Sequence, residues 1–490
     1  MTQAVLAIDL GTSEVKVGLV GLDGSLLGVA RRAYPTELGG GPGWAEQDPE
    51  QWWDAIVDAV GAAQAGSEVE IVAVGLDGHG PSLVPVDGTG CSTRAAITWQ
   101  DTRAVAEAGE LSARTGLRGW TLGGLPAALW IERHEPATAA RTRWYLATWE
   151  WLAFRLTGRA AAPLVPDQRV PDAAALGAAG IARTKLPEPL EAGSVVGGLT
   201  ATAAAGLGLP AGLPIVAGMV DAFASYLGAG LLEPGDAFDP GGAAGGLGVY
   251  WDRPLEVPGA FTTSAPLRGL YSIGAAMAAT GRSLEWFRDQ VLRGAVTIEE
   301  LLLEAAQTAA GADGLVFLPY LAGERSPLWD PTATGLIAGL TLAHGRGHIA
   351  RAIVEASALA LRHVAAPMVA AGVRIHELRV CGGPARSDFW NQVKADVTGL
   401  PVAIPVVLET ALLGSAIVAT VAIGGQPDLR AAIAAMTRID HRLEPDPAVR
   451  GVYDDLFARY AALYPATAPI LRGDSALLTH PAAGPAEAAR

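Results

Sequence analysis

Only two cysteines, Cys91 and Cys381, occur in 490 residues. That is too few for a disulfide framework, so the chain must be held by burial, and both thiols read as ordinary core residues in a reducing compartment. Basic residues are scarce as well: 35 Lys and Arg stand against 50 Asp and Glu, a formal charge of -15. Nucleic-acid binders grip phosphate backbones through clustered Lys and Arg, so this balance argues against such a partner. Ala-rich stretches such as 201–207 are broken by Gly and Pro short of the roughly 20 apolar residues that a membrane span needs. Met1-Thr2-Gln3 passes straight into Val5-Leu6-Ala7-Ile8, with no basic segment and long apolar run of an export signal. The expectation is a cytoplasmic protein with no nucleic-acid or membrane partner.

Half of the residues are apolar, 17% are charged, and Gly and Pro number 61 and 33. This suits a compact chain with many tight turns rather than a disordered one. Single cores rarely grow beyond roughly 250–300 residues, so two domains with a cleft between them are expected. Val5 to Ile8, a turn at 9–13 and the alternation of Val15, Val17 and Leu19 predict a β-hairpin, extended past Asp23-Gly24 into Leu26 to Val29. Asp48-Pro49 predicts a helix start through Trp52, Ile56 and Val60. A strand is predicted over 69–76 and a loop from Asp77 to Pro81. Then come a strand over 95–99, a helical pattern from about 104 to 158, and a strand over 213–219 before Asp221.

The opening theme returns in the second half. Asp236-Ala237-Phe238, the glycine-rich stretch 239–246 and Leu247 to Tyr250 again read as strand, turn, strand, which suggests two related halves. A long helix is predicted from about Arg346, then a strand over 377–381, Gly382-Gly383, and a helix capped by Ser387. A closing helix over 447–464 turns Val452, Leu456, Tyr460 and Leu463 to one side, and the composition after Pro469 predicts a frayed tail.

Three places offer chemistry. Asp9-Leu10-Gly11-Thr12-Ser13 supplies a carboxylate at a strand end, backbone N–H groups made accessible by glycine, and two hydroxyls. These are the ingredients for a phosphate chain with its Mg2+, and equally for an ordinary tight turn. Gly382-Gly383 either lets a flat ligand lie on bare backbone near a helix N-terminus or packs a helix closely on a strand. Asp221 is either a partly desolvated carboxylate that accepts a hydroxyl proton or a helix N-cap.

In their order these pieces resemble the FGGY family of carbohydrate kinases, members of the actin, hexokinase and Hsp70 ATPase superfamily, from Val5 to about Tyr464. The longest match is Gly335-Leu336-Ile337-Ala338-Gly339-Leu340, then seven residues, then His348-Ile349-Ala350-Arg351-Ala352-Ile353-Val354-Glu355, which is similar to the family's second signature. Leu318 to Pro327 with Trp329-Asp330-Pro331 is similar to the stretch that xylulokinases and their relatives carry there. Val380 to Trp390 resembles the adenosine motif, Glu409 to Ala416 the helix behind it, and Trp99 to Arg103 with Gly218 to Ala222 the sugar-side motifs.

The resemblance implies an α/β fold of two actin-like (ribonuclease H-like) ATPase domains with a cleft between them. It implies a sugar-binding domain over 1–230, a nucleotide-binding domain over 231–430, and a closing helix with a disordered tail over 431–490. The implied reaction is ATP-dependent phosphorylation of a sugar or polyol hydroxyl. A ketopentose such as D-xylulose comes first. The alternatives are an acceptor of the glycerol, ribulose, erythritol or gluconate type, or a catalytically weak sugar or nucleotide sensor. Asp221 would be the general base, Asp9 would hold Mg2+, and Thr12 and Ser13 would face the β- and γ-phosphates. Gly242, Gly281, Glu285, Gly383 and Ser387 would line the nucleotide side, with Asp101, Asp221, Asp77 and His79 toward the acceptor. A homodimer is the implied assembly.

The sequence also departs from the family pattern. Gly242 is followed by Ala243-Ala244 where the second phosphate hairpin carries a hydroxyl residue, and Ala127 precedes Ala128-Leu129-Trp130 where the first signature has a Lys. Gly80-Pro81 stands where relatives place hydroxyl-binding side chains, which is why Asp77 and His79 are expected to substitute, and Ala222 replaces an amide after the base. A sugar-responsive repressor would need a basic helix pair ahead of Val5, and a chaperone a peptide-binding domain beyond Tyr464; neither is expected.

Overall fold

The computed structural model describes residues 2–41, 43–168, 176–177 and 180–472. The first half is built on a sheet whose opening strand, β1 (Thr2–Leu10), is enclosed from Ala4 onward. β2 (Glu14–Gly21) returns antiparallel with Lys16 opposite Asp9, and β3 (Leu26–Ala33) continues the meander. The helix α1 (Pro49–Gln64) starts where predicted. Asp48 caps it by accepting the Glu50 N–H at 3.0 Å, and Trp52, Ile56 and Val60 are buried. β4 (Val69–Gly78) lies parallel to β1. It runs two residues past its predicted end, because its pairing with β1 continues through Asp77 and Gly78.

The helical stretch after residue 104 is interrupted by a strand at Trp144–Leu146 before α2 (Thr148–Thr157), and the strand predicted over 95–99 shrinks to Ala96–Ile97. β5 (Val195–Gly198) forms an edge. The strand predicted over 213–219 is two, β6 (Pro214–Val216) and β7 (Met219–Val220), both parallel to β4. The break falls at Gly218, where a Cβ would stand 2.2 Å from the Leu76 carbonyl oxygen. The sheet order is β5-β6-β4-β1-β2-β3, with β7 also beside β4, and α3 (Asp221–Gly228) follows.

The second half repeats this plan. Its strands are β8 (Asp236–Asp239), β9 (Gly246–Trp251), β10 (Phe261–Ser264), β11 (Tyr271–Ala276), β12 (Glu377–Val380), β13 (Val402–Pro405) and β14 (Ile439–Leu443), in the order β10-β11-β9-β8-β12-β13-β14. Around β8, as around β1, an antiparallel meander lies on one side. Two parallel strands and an antiparallel edge lie on the other. The repeat suspected from two glycine turns is therefore a repeat of whole sheets.

The helices of this half include α4 (Arg282–Trp286), α5 (Arg346–Ala370), α6 (Asp388–Thr398), α7 (Thr410–Ala422) and α8 (Arg450–Leu471). By length and composition α5 could cross a membrane, but 67% of its most apolar window is buried inside the protein, as in a core helix. Ser387 caps α6 by accepting the Trp390 N–H at 3.2 Å. α8 buries Leu456 and Tyr460 as predicted, but at the ends of the stripe it buries Tyr453 and Tyr464 where Val452 and Leu463 were expected, and it exposes Val452. It also continues past Pro469 to Leu471; the rest of the tail predicted to fray, 473–490, lies outside the described residues. Between the halves α3 crosses α7 so closely that only glycine fits: a Cβ on Gly228 would meet the Thr410 carbonyl at 1.9 Å, and one on Gly414 the Ala224 carbonyl at 1.8 Å.

Candidate active site

β1, β4 and β7 bring three carboxylates to one end of the first sheet. Asp9 lies opposite Asp77, Met219 and Val220 pair with Asp77 and Gly78, and Asp221 is the next residue. Asp221 is not the N-cap that its position suggested. Val220 occupies that place, and Asp221 opens α3 with its Oδ1 accepting the Ala222 N–H at 2.7 Å.

Carboxylates gathered in a poorly solvated place disfavour one another's charge. Burial, with the Asp9 carboxylate adding to it, pushes Asp221 up to about 7. Burial, again seconded by Asp9, holds Asp77 well above the usual carboxylate range. The Ser415 hydroxyl of α7 donates to Asp77 Oδ2 at 2.6 Å, while Oδ1 has no partner among the described residues. One cation answers this cluster. Lys16 Nζ stands 3.6 Å from Asp9 and 3.4 Å from Glu409. Burial opposes its charge, but the Asp9 and Glu409 carboxylates outweigh that and raise its pKa. Glu409 also pairs with Arg31 and, at 3.6 Å, with Arg386, so one ion cluster joins both halves.

The turn after Asp9 presents Thr12 and Ser13. Thr12 Oγ1 accepts the Trp99 indole N–H at 2.8 Å and its carbonyl accepts from Gln47 Nε2 at 2.7 Å. Ser13 is exposed, and the Tyr34 hydroxyl donates to the Gly11 carbonyl and ties down the turn.

The acceptor side differs from expectation. Asp77 and His79 are 0% and 1% exposed, so neither side chain lines an open surface. His79 Nδ1 meets the Ser82 hydroxyl at 2.9 Å, its ring packs on Trp52, and burial pushes its pKa down to about 3, so it is neutral. Asp101 is also spoken for: its carboxylate accepts the Ala45 N–H at 2.7 Å and both Nε and a terminal nitrogen of Arg103, whose guanidinium stacks 3.6 Å from the Trp44 ring centroid. The space beside Gly80 belongs to Trp149, the second residue of α2. A Cβ on Gly80 would stand 2.9 Å from its Cζ3 and 3.5 Å from Val220 Cγ2, next to Asp221.

On the other side of the cleft Gly242 and Gly281 come together, while Gly383, Glu285 and Ser387 are not drawn into that contact. Gly241 and Gly242 both have φ near +60°, and a Cβ on Gly281 would collide with the Gly242 carbonyl at 1.8 Å. A Cβ on Gly382 would stand 3.3 Å from the Pro240 carbonyl, whereas Gly383 faces open space. Asp239 is paired with Lys394 of α6 at 2.6 Å, both buried. Glu285 is exposed on α4, and the Ser387 hydroxyl is occupied as a cap. Sequence reasoning missed Lys16, Lys394 and Trp149. Lys16 carried one signal: a charged residue amid the apolar alternation of a strand directly after the glycine turn.

The fold and motifs have counterparts in known proteins. The N-terminal domain of the FGGY family of carbohydrate kinases matches residues 4–228 and the C-terminal domain matches residues 247–423. Xylulose kinase from Escherichia coli is 30% identical over 420 residues, covering 80% of this chain and 84% of that one. Glycerol kinase from Saccharopolyspora erythraea is also 30% identical, covering 86% of this chain and 91% of that one. The crystal structure of xylulose kinase from Rhodospirillum rubrum superposes with a TM-score of 0.81 at 32% identity, covering 96% of this chain and 100% of that one. With both domains matched, the chain belongs to the FGGY family of carbohydrate kinases, as an ATP-dependent sugar kinase built from two actin-like domains.

Proposed function

We propose that this chain moves the γ-phosphoryl group of ATP onto a hydroxyl of a ketopentose such as D-xylulose, with Asp221 as general base. The observation that carries the role of Asp221 is its position. It ends a strand run beside Asp77 and Asp9, it opens a helix, and its pKa near 7 suits a group that must accept a proton at neutral pH. The acceptor class rests on the xylulose kinases among the relatives at 30% identity.

In-line transfer asks for positioning and charge neutralisation more than covalent chemistry. Asp221 takes the hydroxyl proton as the acceptor oxygen attacks. Thr12 and Ser13, with the N–H groups of their turn, hold phosphate oxygens, and the backbone at Gly242, Gly281 and Gly383 carries the nucleotide. Among the described residues no three His, Cys, Asp or Glu are placed to form a metal cage. Mg2+ commonly uses one or two carboxylates together with phosphate oxygens and water. Asp9, at the strand end before the phosphate turn, fits that need, and the ion when bound offsets charge between phosphates and carboxylates. Residues 1–230 then serve the sugar and 231–430 the nucleotide, while β14 forms the edge of the second sheet and leads into the closing helix α8.

One observation favours a smaller polyol instead: the Trp149 ring fills the space that a side chain at position 80 would take beside Asp221. Turnover of ATP by the purified protein against pentuloses, tetritols and glycerol separates the two. Highest kcat/KM on a pentulose supports the first reading, preference for glycerol or a tetritol supports the second, and failure with every acceptor overturns both.

A further inference from the structure

The segment Gly323-Glu324-Arg325-Ser326-Pro327 has no part in the roles given so far. In the structure it aims a cation across the cleft. Arg325 belongs to the second half, yet its guanidinium lies over the Trp99 ring of the first half, 5.2 Å from the centroid. Trp99 in turn donates its indole N–H to the Thr12 hydroxyl at 2.8 Å. A direct line of contacts therefore runs from Arg325 to the phosphate turn.

The segment is held firmly. Ser326 donates its N–H to the Ala276 carbonyl at 2.9 Å and its hydroxyl to the Gly259 carbonyl at 2.6 Å. Glu324, buried, accepts the Arg325 N–H at 2.8 Å and donates its own N–H to the Asp330 carbonyl at 2.9 Å. One edge of the guanidinium donates to the Met277 carbonyl at the end of β11. Among the described residues Arg325 forms no ion pair, and burial lowers its pKa. The neighbouring Glu324 carboxyl, pushed up to about 7 by burial, supports the charge only in part. A partly desolvated guanidinium without an anion is unfavourable, and its planar fork matches the oxygens of a phosphate. The alternative, a cation kept only for stacking on Trp99, leaves the rigid backing of the segment unexplained.

We propose that Arg325 binds the phosphoryl group in flight, closing over it from the second half while Thr12 and Ser13 hold it from the first. This rests on the kinase reaction given above. In the step the acceptor oxygen forms its bond to the γ-phosphorus, the bond from that phosphorus to ADP breaks, and the hydroxyl proton goes to Asp221. Arg325 stays protonated and forms no covalent bond.

The test uses R325A and R325K in the full chain. An arginine acting on the transferred group is worth on the order of 10³-fold or more, so R325A should lose about that factor in kcat while KM for ATP moves by no more than about threefold. Guanidine at millimolar concentration should restore part of the rate of R325A. A kcat within about threefold of the parent protein overturns the proposal, as does a loss that guanidine leaves untouched in a protein with lowered Tm. R325K, which keeps a cation on Trp99, should melt like the parent protein and still be slow. A second measurement needs no acceptor. R325A should bind ADP as the parent protein does and bind ADP with aluminium fluoride at least about tenfold more weakly. Equal weakening of both, or of neither, sinks the assignment even where the acceptor has been misjudged.

Discussion

Asp9 and Asp239 occupy corresponding places in their halves: each lies within the last two residues of the first strand of a hairpin, before a glycine turn, and each has a lysine partner. Their surroundings differ. Asp9 faces Asp77 across the parallel ladder and has Asp221 close by, and its lysine, 3.6 Å away, is shared with Glu409. Asp239 faces Val380 in the same ladder position, and Lys394 sits 2.6 Å from it and belongs to no second carboxylate among the described residues. The first turn gathers surplus negative charge around two hydroxyl residues, while the second is locally neutral and lined by alanine and bare backbone. Surplus carboxylate beside a polyphosphate is tolerable only with a cation between them, which is the reason for proposing metal and proton handling at the first turn. The second is suited to cradling a nucleotide through N–H groups. One duplicated sheet has thus been specialised by charge rather than by shape.

The sharpest way to break this contrast is to remove the surplus charge. D221N should lower kcat by about 10²–10⁴-fold and leave ATP binding largely intact, read by single-turnover phosphorylation and by nucleotide titration. The same variant should be more stable than the parent protein. A carboxyl whose folded pKa is raised contributes stability that is complete below its unfolded value near 4 and is lost as the pH rises through about 7. The gain in Tm should therefore be seen at pH 8 and vanish near pH 4. Next in size is the neutral pair of the second half. K394M leaves Asp239 buried and alone, which should cost about 3–5 kcal/mol in denaturant unfolding. The half-buried, shared Lys16 should cost less when replaced by Met, and equal costs would erase the contrast.

How much of this contrast could be read from the chain follows from how local each signal is. Both hairpins were legible, because apolar alternation interrupted by Asp and Gly is decided within a dozen residues, and so were the caps at Asp48 and Ser387. Asp77 was misjudged. Asp-Gly usually ends a strand, but here pairing on both sides with β1 and β7 carries the ladder through it. That ladder also encloses Asp77, and Trp52 and Ser82 enclose His79, so neither lines the acceptor side as expected. Val452 was placed inward because either of two adjacent residues can begin a stripe through Leu456 and Tyr460, and Arg351 and Glu355 of α5, which hydrogen-bond the Tyr453 hydroxyl, select Tyr453. Trp149 gave no warning, since a tryptophan in an apolar helix reads as core. Its position beside Gly80 exists only once α2 has packed on the end of β4.

A milder perturbation is pH. With Asp221 as the base and its pKa near 7 in the free enzyme, kcat/KM for the acceptor should fall about tenfold per unit below that value and level off above it. The limb should vanish in D221N. A flat profile between pH 5.5 and 8 in the parent protein would remove Asp221 from the proton path.

The smallest expected effect makes the second turn more like the first. Ala243 is exposed next to Gly242, and its carbonyl accepts the Arg282 N–H at 3.0 Å, so the backbone there is already fixed. A threonine at this position adds a hydroxyl to a turn that presents none, at a site with room for it. A hydrogen bond to a charged acceptor contributes about 1.5–3 kcal/mol at best, less the entropy of fixing the rotamer, so A243T should lower KM for ATP by roughly threefold to tenfold. The acceptor KM should not move, because the hydroxyl stands on the nucleotide side. If A243T instead changes acceptor preference, the division of labour between the two turns is wrong, since a group on the neutral turn would then be acting at the charged one.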